Sequence, residues 1–123
     1  MDDRDAGVYV MQVASKLTGM HPQTLRKYER AGFLMPSRHY MVRLYSDEDI
    51  VRLRIIKHLV GEIGLNLAGV ELALNLRDMI VEMKKDIDSP DISRDMIKHL
   101  DESLDEMLAM LGESPILAET DNL

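Results

Sequence analysis

The sequence predicts an all-α chain with one small β wing, that is, a winged helix-turn-helix followed by a short helical arm. Three observations carry this. Two brief amphipathic segments meet at a glycine near the N-terminus. A stretch rich in β-branched and aromatic residues, with period-two alternation, follows them. Past residue 76 the apolar residues recur at three- and four-residue intervals, which is helical spacing. A chain of 123 residues fits one domain with an appended arm.

The first helix is expected over residues 11–17, where Val13, Ala14 and Leu17 share a face. Thr18-Gly19 ends it, because glycine accepts the left-handed geometry of helix ends. Pro22 opens the second helix at a position whose N–H has no partner within the helix. That helix runs to residue 31 and stops at Gly32, with Leu25 and Tyr28 (or Glu29) sharing a face with its first turn. Two short helices around a glycine-containing turn read as helix-turn-helix.

Pro36 forbids helix and biases Met35 toward extended backbone. "HYMVRLY" then reads as a small hairpin. Ser46 is placed to cap a third helix, whose first turn holds Asp47, Glu48 and Asp49 beside the positive end of the dipole. Ile50, Leu53, Ile56 (or Lys57) and Val60 form its apolar stripe. After Gly64, Asn66 caps a fourth helix that turns Leu67, Val70, Ala73 and Leu74 inward.

The pattern then changes. Leu76, Ile80, Met83 and Ile87 form one seam; Ile97, Leu100, Leu104, Met107 and Leu111 form another. Such a/d spacing belongs to helices that bury a seam against a partner. Ser89 and Pro90 are placed to begin the second seam helix. Neither short helix hides its seam alone, so a symmetric dimer is the simplest expectation. The expected divisions are 8–76 for the winged domain, 77–111 for the dimerisation arm and 112–123 for a loose tail.

The formal net charge is -7, but it is unevenly spread. Residues 8–60 hold nine Lys and Arg against four acids; residues 61–123 hold five against fifteen. A basic first half points to a polyanion, and the acidic second half would repel it. There is no cysteine, which removes disulfides and thiolate metal sites and fits a reducing cytoplasm. The N-terminal residues carry no signal-peptide pattern, and no apolar run approaches the roughly 20 residues of a membrane span.

Within this frame the second helix carries the chemistry. Its N-terminal residues can enter a major groove. Gln23 and Thr24 offer groups for bases or phosphates, and Arg26 and Lys27 suit phosphate oxygens or guanine. Tyr28 can donate its hydroxyl to a phosphate. On the hairpin, Arg38 and Arg43 can lie on the neighbouring backbone or minor groove, with Tyr45 beside them. The plainer readings are a solvated basic helix, two surface arginines and a core tyrosine. His21, His39, His58 and His99 lack metal-site spacing; His21 stands where it could meet a phosphate. Met79, Met83, Met96, Met107 and Met110 read as core and seam fillers, not as a ligand pocket. The acids of residues 82–106 read as solvated faces with no nucleophile or base nearby, so no enzyme is expected.

"VASKLTGMHPQTLRKYERAGFLMPSR" followed by "VRLYSDEDI" resembles the MerR family of winged helix-turn-helix regulators. Together "HPQTLRKYER", "PSR", "RLYS" and "GLNLAGVELAL" resemble its heat-shock repressor branch. The resemblance covers residues 8–76. It implies a cytoplasmic bacterial homodimer on an inverted DNA repeat, repression of chaperone genes, and the DnaK chaperone as co-repressor. It carries DNA contacts to Gln23, Thr24, Arg26, Lys27, Tyr28, Arg38, Arg43 and Tyr45, and it requires no cofactor. Two other functions stay open: a ligand-responsive activator of the same family, and a helical interaction module that does not bind DNA. The chain departs from its relatives at "RHYMVR", where they place Gly or Asn. Without glycine a primed two-residue turn is strained, so a different turn or an irregular loop is expected there.

Overall fold

A computed structural model describes residues 6–113. The described residues form two compact units, one ending at Glu71 and one starting at Leu72. The first contains strand β1 (Gly7–Tyr9), helices α1 (Met11–Thr18) and α2 (Pro22–Arg30), strands β2 (Ser37–His39) and β3 (Val42–Ser46), helix α3 (Asp47–His58) and the start of α4 (Leu67–Ile87). The second contains the rest of α4 and α5 (Arg94–Met110). Five helices and one small sheet match the all-α winged class that the sequence predicts.

The turn between α1 and α2 is built from its ends. Gly19 has φ 67°, and a Cβ there would lie 2.7 Å from Lys57 Nζ. Lys57 needs that space to donate to the Thr18 carbonyl at 3.1 Å. Arg54 donates to the Leu17 carbonyl at 3.2 Å. Two cations from α3 thus serve the negative end of α1. At the other side of the turn His21 caps α2, its Nδ1 accepting from the Gln23 N–H at 3.1 Å. That role needs the ring neutral, with its proton on Nε2.

The core of this unit is aliphatic and small. Leu25, Tyr45, Leu53 and Ile56 are fully buried, each worth about 1.5–3 kcal/mol of burial. The stripe expected on α3 holds at Ile50, Leu53 and Ile56, but Val60 is partly exposed. The chain passes at Leu59 into a π turn, Leu59–Ile63, and the wider turn carries Val60 off the stripe. On α1 the expectation is corrected: Ala14 and Thr18 are buried, whereas Val13 and Leu17 are exposed. The inward ridge of α1 is its small residues. Asn66 caps α4 as expected, accepting from the Gly69 N–H at 2.8 Å, but Leu67 is exposed while Val70 is buried.

The hairpin is a correction of more consequence. β2 and β3 pair Arg38 with Arg43 and His39 with Val42, leaving a two-residue turn. Its residues, Tyr40 and Met41, have φ 49° and 69°. Positive φ at both central residues is the primed hairpin turn, which the missing glycine argued against. The right-handed twist of the strands selects it, at a cost of about 1–2 kcal/mol for each L side chain. A third strand, β1, completes the sheet in the order β1-β3-β2. Gly7 pairs with Ser46, and a Cβ at Gly7 would stand 2.7 Å from the Leu44 carbonyl oxygen. Only glycine lets this strand approach so closely.

Ser46 begins α3 with a reciprocal capping box. Its hydroxyl accepts from the Asp49 N–H at 3.0 Å, and the Asp49 carboxylate accepts from the Ser46 N–H at 2.9 Å. Both residues are buried, so these bonds also satisfy groups cut off from water.

In the second unit α5 starts four residues later than expected. Ser93 is its N-cap, accepting from the Met96 N–H at 3.2 Å. Ser89 instead closes α4, its N–H donating to the Asp86 carbonyl at 3.2 Å. Met107 is buried, whereas Ile80, Ile87, Ile97, Leu104 and Leu111 are exposed. The tail motif "SPILAE" lies outside the described residues.

Two substitutions check these local balances by thermal unfolding. Ser46→Ala is expected to lose about 1 kcal/mol, because Asp49 N–H is left buried without its acceptor. Met41→Gly is expected to raise stability by about 1 kcal/mol, by releasing one strained residue at the hairpin tip.

Candidate nucleic-acid interface

α2 has two faces. Leu25 and Tyr28 point inward and are buried, and the Tyr28 ring stacks on Phe33 at 6.1 Å between centroids and 27° between planes. Gln23, Arg26, Lys27 and Arg30 follow i, i+3, i+4, i+7 spacing and share the outward face. With Thr24 on the flank they line a concavity of about 450 Å³. Among the described residues Arg26 and Arg30 form no ion pair, and Lys27 Nζ rests 5.8 Å from the centre of the Tyr28 ring. Their charge is therefore available to a polyanion.

Apart from the exposed Lys16 on α1, the other basic residues of this half make contacts within the fold. Arg54 and Lys57 hold the end of α1. Arg52 Nε donates to the Phe33 carbonyl at 2.6 Å, which ties α3 to the loop after α2. Arg43 Nε stands 2.9 Å from a Glu29 carboxylate oxygen, and Arg38 reaches the other oxygen at 3.7 Å. The Arg43 contact is an ion pair without hydrogen-bond alignment. Glu29 thus joins α2 to both strands of the wing. The positive charge of residues 8–60 is less a diffuse patch than it looks in the sequence. What faces outward without an internal partner is concentrated on α2.

Tyr45 is fully buried beneath this pair, and its hydroxyl finds no hydrogen-bond partner among the described residues. Burial, then the charge of Glu29, raise its pKa above the usual 10.0, against the opposing pull of Arg43 and Arg26. The neutral phenol is the form the fold favours. Its contribution is complete below the ordinary phenol range and is lost as pH rises through the folded value.

The sequence candidates therefore divide. Gln23, Thr24, Arg26 and Lys27 come together on one accessible surface. Arg38 is exposed on the wing beside them, shared with Glu29. Tyr28 and Tyr45 are core residues, and Arg43 is engaged inside. Arg30 was passed over, although its place seven residues after Gln23 identifies it. His21 is committed as a helix cap. Glu29 was missed as the joint between helix and wing; nothing in its local sequence reveals partners nine and fourteen residues away. Among the described residues no group of three His, Asp or Glu side chains is arranged to hold a metal ion, and no helix is long and apolar enough to cross a membrane.

Glu29→Gln is expected to destabilise the fold by about 1–3 kcal/mol, since Arg43 is left partly buried without its counter-charge. Tyr45→Phe is expected to be neutral or stabilising at pH 7 and to flatten the loss of stability above pH 10. Denaturant melts across pH would show both.

Comparison with known proteins places this geometry. Residues 9–76, more than half of the chain, match the MerR HTH family regulatory proteins. α2, the hairpin and α3 lie inside that match. A Streptomyces coelicolor protein named heat shock protein HspR is 42% identical over 81 residues, covering 65% of this chain and 54% of that protein. The chain thus spans about half the length of that relative. With a basic helix presented beside a wing and a match across the whole unit, the chain belongs to the MerR family of helix-turn-helix regulators, DNA-binding proteins of transcription, and is close to HspR.

Proposed function

We propose that this chain is a sequence-specific repressor of heat-shock and chaperone genes, acting in the bacterial cytoplasm as a homodimer on an inverted DNA repeat. One observation carries the DNA step: Gln23, Arg26, Lys27 and Arg30 share the outward face of a helix whose inner face is locked in the core. In this reading Gln23 and Thr24 touch bases, and Arg26, Lys27 and Arg30 grip phosphates or guanines. Arg38 lies on the adjoining backbone. Tyr28, Arg43 and Tyr45 act from beneath, by holding the helix and the wing in place.

The role at chaperone genes rests on the likeness to HspR, and with it a DnaK-type chaperone as co-repressor. The homodimer rests on the seams. Ile80, Ile87, Ile97, Leu104 and Leu111 are exposed in the single chain, and a second copy would cover such a repeat. Residues 8–76 then form the DNA-binding domain and residues 77–111 the dimerisation arm. The acidity of the arm keeps it away from DNA.

A ligand-responsive activator is the second reading. One feature favours it: a cleft of about 310 Å³ lined by Asp78, Met79, Glu82, Ser103 and Glu106. Its acids would suit a cationic guest. Thermal shifts with small organic cations that also change DNA affinity would favour this activator over the repressor.

A duplex selected by the chain from a randomised pool provides the DNA test. Arg26→Ala is expected to weaken all binding about tenfold or more and to lower the salt slope by about one. Gln23→Ala is expected to change the selected sequence. Wild-type affinity in Arg26→Ala would contradict this docking. Ile80→Asp with Leu104→Asp is expected to yield monomers in sedimentation and to abolish preference for a repeated half-site. A dimer that survives both changes would place the interface elsewhere.

A further inference from the structure

The chain has no cysteine and no tryptophan, and it carries ten methionines. Its thioethers are therefore the side chains most open to two-electron oxidation. Nine of the ten fall among the described residues. Met20 and Met107 are buried, and five more are partly covered. Met35 and Met41 stand apart, at 86% and 91% exposed. They bracket β2, each two residues from one of its ends. Arg38 lies three residues from either of them.

Both sulfurs are displayed on anchored backbone. Just before Met35, Phe33 and Leu34 are buried, and the Phe33 carbonyl accepts from Arg52 Nε at 2.6 Å. Met41 sits in the hairpin turn at φ 69°. Strain of this kind persists where a side chain serves a purpose outside the fold. Below the turn, Glu29 ties the wing to α2 at 2.9 Å from Arg43. Neither sulfur packs into the core, so a change in its chemistry leaves the fold standing. Oxidation of Met20 or Met107 would instead place a polar group among apolar neighbours.

We propose that Met35 and Met41 form a reversible oxidation site through which peroxides weaken the hold of this chain on DNA. Each thioether sulfur gives an electron pair to one oxygen of hydrogen peroxide. An S–O bond forms as the O–O bond breaks. The remaining hydroxyl takes the proton of the transferred one and leaves as water. Sulfur loses two electrons and the peroxide gains them. The resulting sulfoxide is polar, and sulfoxide reductases return it to the thioether. Its oxygen carries partial negative charge on either side of Arg38. A phosphate backbone drawn in by α2 and Arg38 then meets two dipoles of the wrong sign. The fall in affinity rests on the DNA-binding reading above, whereas the order in which the methionines oxidise does not.

The test treats the full chain with limiting hydrogen peroxide, maps the added oxygen by peptide mass spectrometry, and titrates treated and untreated chain on the same selected duplex. Met35 and Met41 are expected to gain oxygen first, with an unchanged thermal midpoint and about fivefold weaker binding. Methionine sulfoxide reductases supplied with a thiol should restore the untreated affinity. In Met35→Leu/Met41→Leu the same dose should leave that variant's own affinity where it began. Oxygen entering Met20 or Met107 first, or a midpoint that falls together with binding, overturns the proposal. So does undiminished affinity with both sulfoxides in place. Loss of binding by the leucine variant at the dose that affects wild type assigns the effect to other residues and overturns it as well. Failure of the untreated chain to bind any selected duplex removes the DNA reading, and the proposed regulation with it, even where Met35 and Met41 oxidise first.

Discussion

Leu25 and Tyr28 hold α2 against the core, and Glu29 on its flank holds the wing to α2. These adjacent contacts of one helix set the direction of everything the first unit presents. Burial fixes the rotation of the helix about its axis, so that Gln23, Arg26, Lys27 and Arg30 can only face outward. The pair between Glu29 and Arg43 fixes the hairpin beside it. Pro22 and the His21 cap set where the helix starts; Gly19, with Lys57 pressed against it, sets the angle at which the chain enters. A reading surface needs such control, because a helix turned by one residue presents a different set of side chains.

The same structure explains why an acidic protein can meet a polyanion. Four basic side chains are engaged within the first unit: Arg52, Arg54 and Lys57 donate to backbone carbonyls and Arg43 pairs with Glu29. Those left on α2 form a small, ordered field. A dense but localised set of cations supports register and orientation on DNA better than a diffuse one, since each contact has a fixed origin. The second unit carries more acids than bases, a balance unfavourable to phosphate.

Much of this was legible in the sequence. Helix boundaries marked by Gly19, Pro22, Gly32, Ser46 and Asn66 were found, because each residue acts through its own backbone. The accessible face of α2 was found by residue type, apart from Arg30. What escaped is what depends on distance in sequence. β1 is three residues long and is stabilised by β3, some forty residues on. The joining role of Glu29 needs the hairpin to fold back on α2. The contacts of Arg43 with Glu29 and of Arg54 with the end of α1 follow from tertiary packing, which the pattern of a short segment does not encode. At the hairpin tip local preference pointed away from the primed turn, and strand twist overrode it. The π turn after α3 had no sequence mark beyond Gly64. In the second unit the seams were visible as spacing, but Ser89 was misread because a serine can serve the end of one helix as readily as the start of the next.

The central claim is that α2 meets DNA with its outward face while the seam helices do not. Backbone and side-chain NMR of the full chain during titration with a selected duplex tests this most directly. The expected result is that the largest shifts fall on Gln23, Thr24, Arg26, Lys27 and Arg30, with smaller ones on the wing and none along α5. Shifts concentrated on α4 and α5, with α2 unchanged, would contradict it.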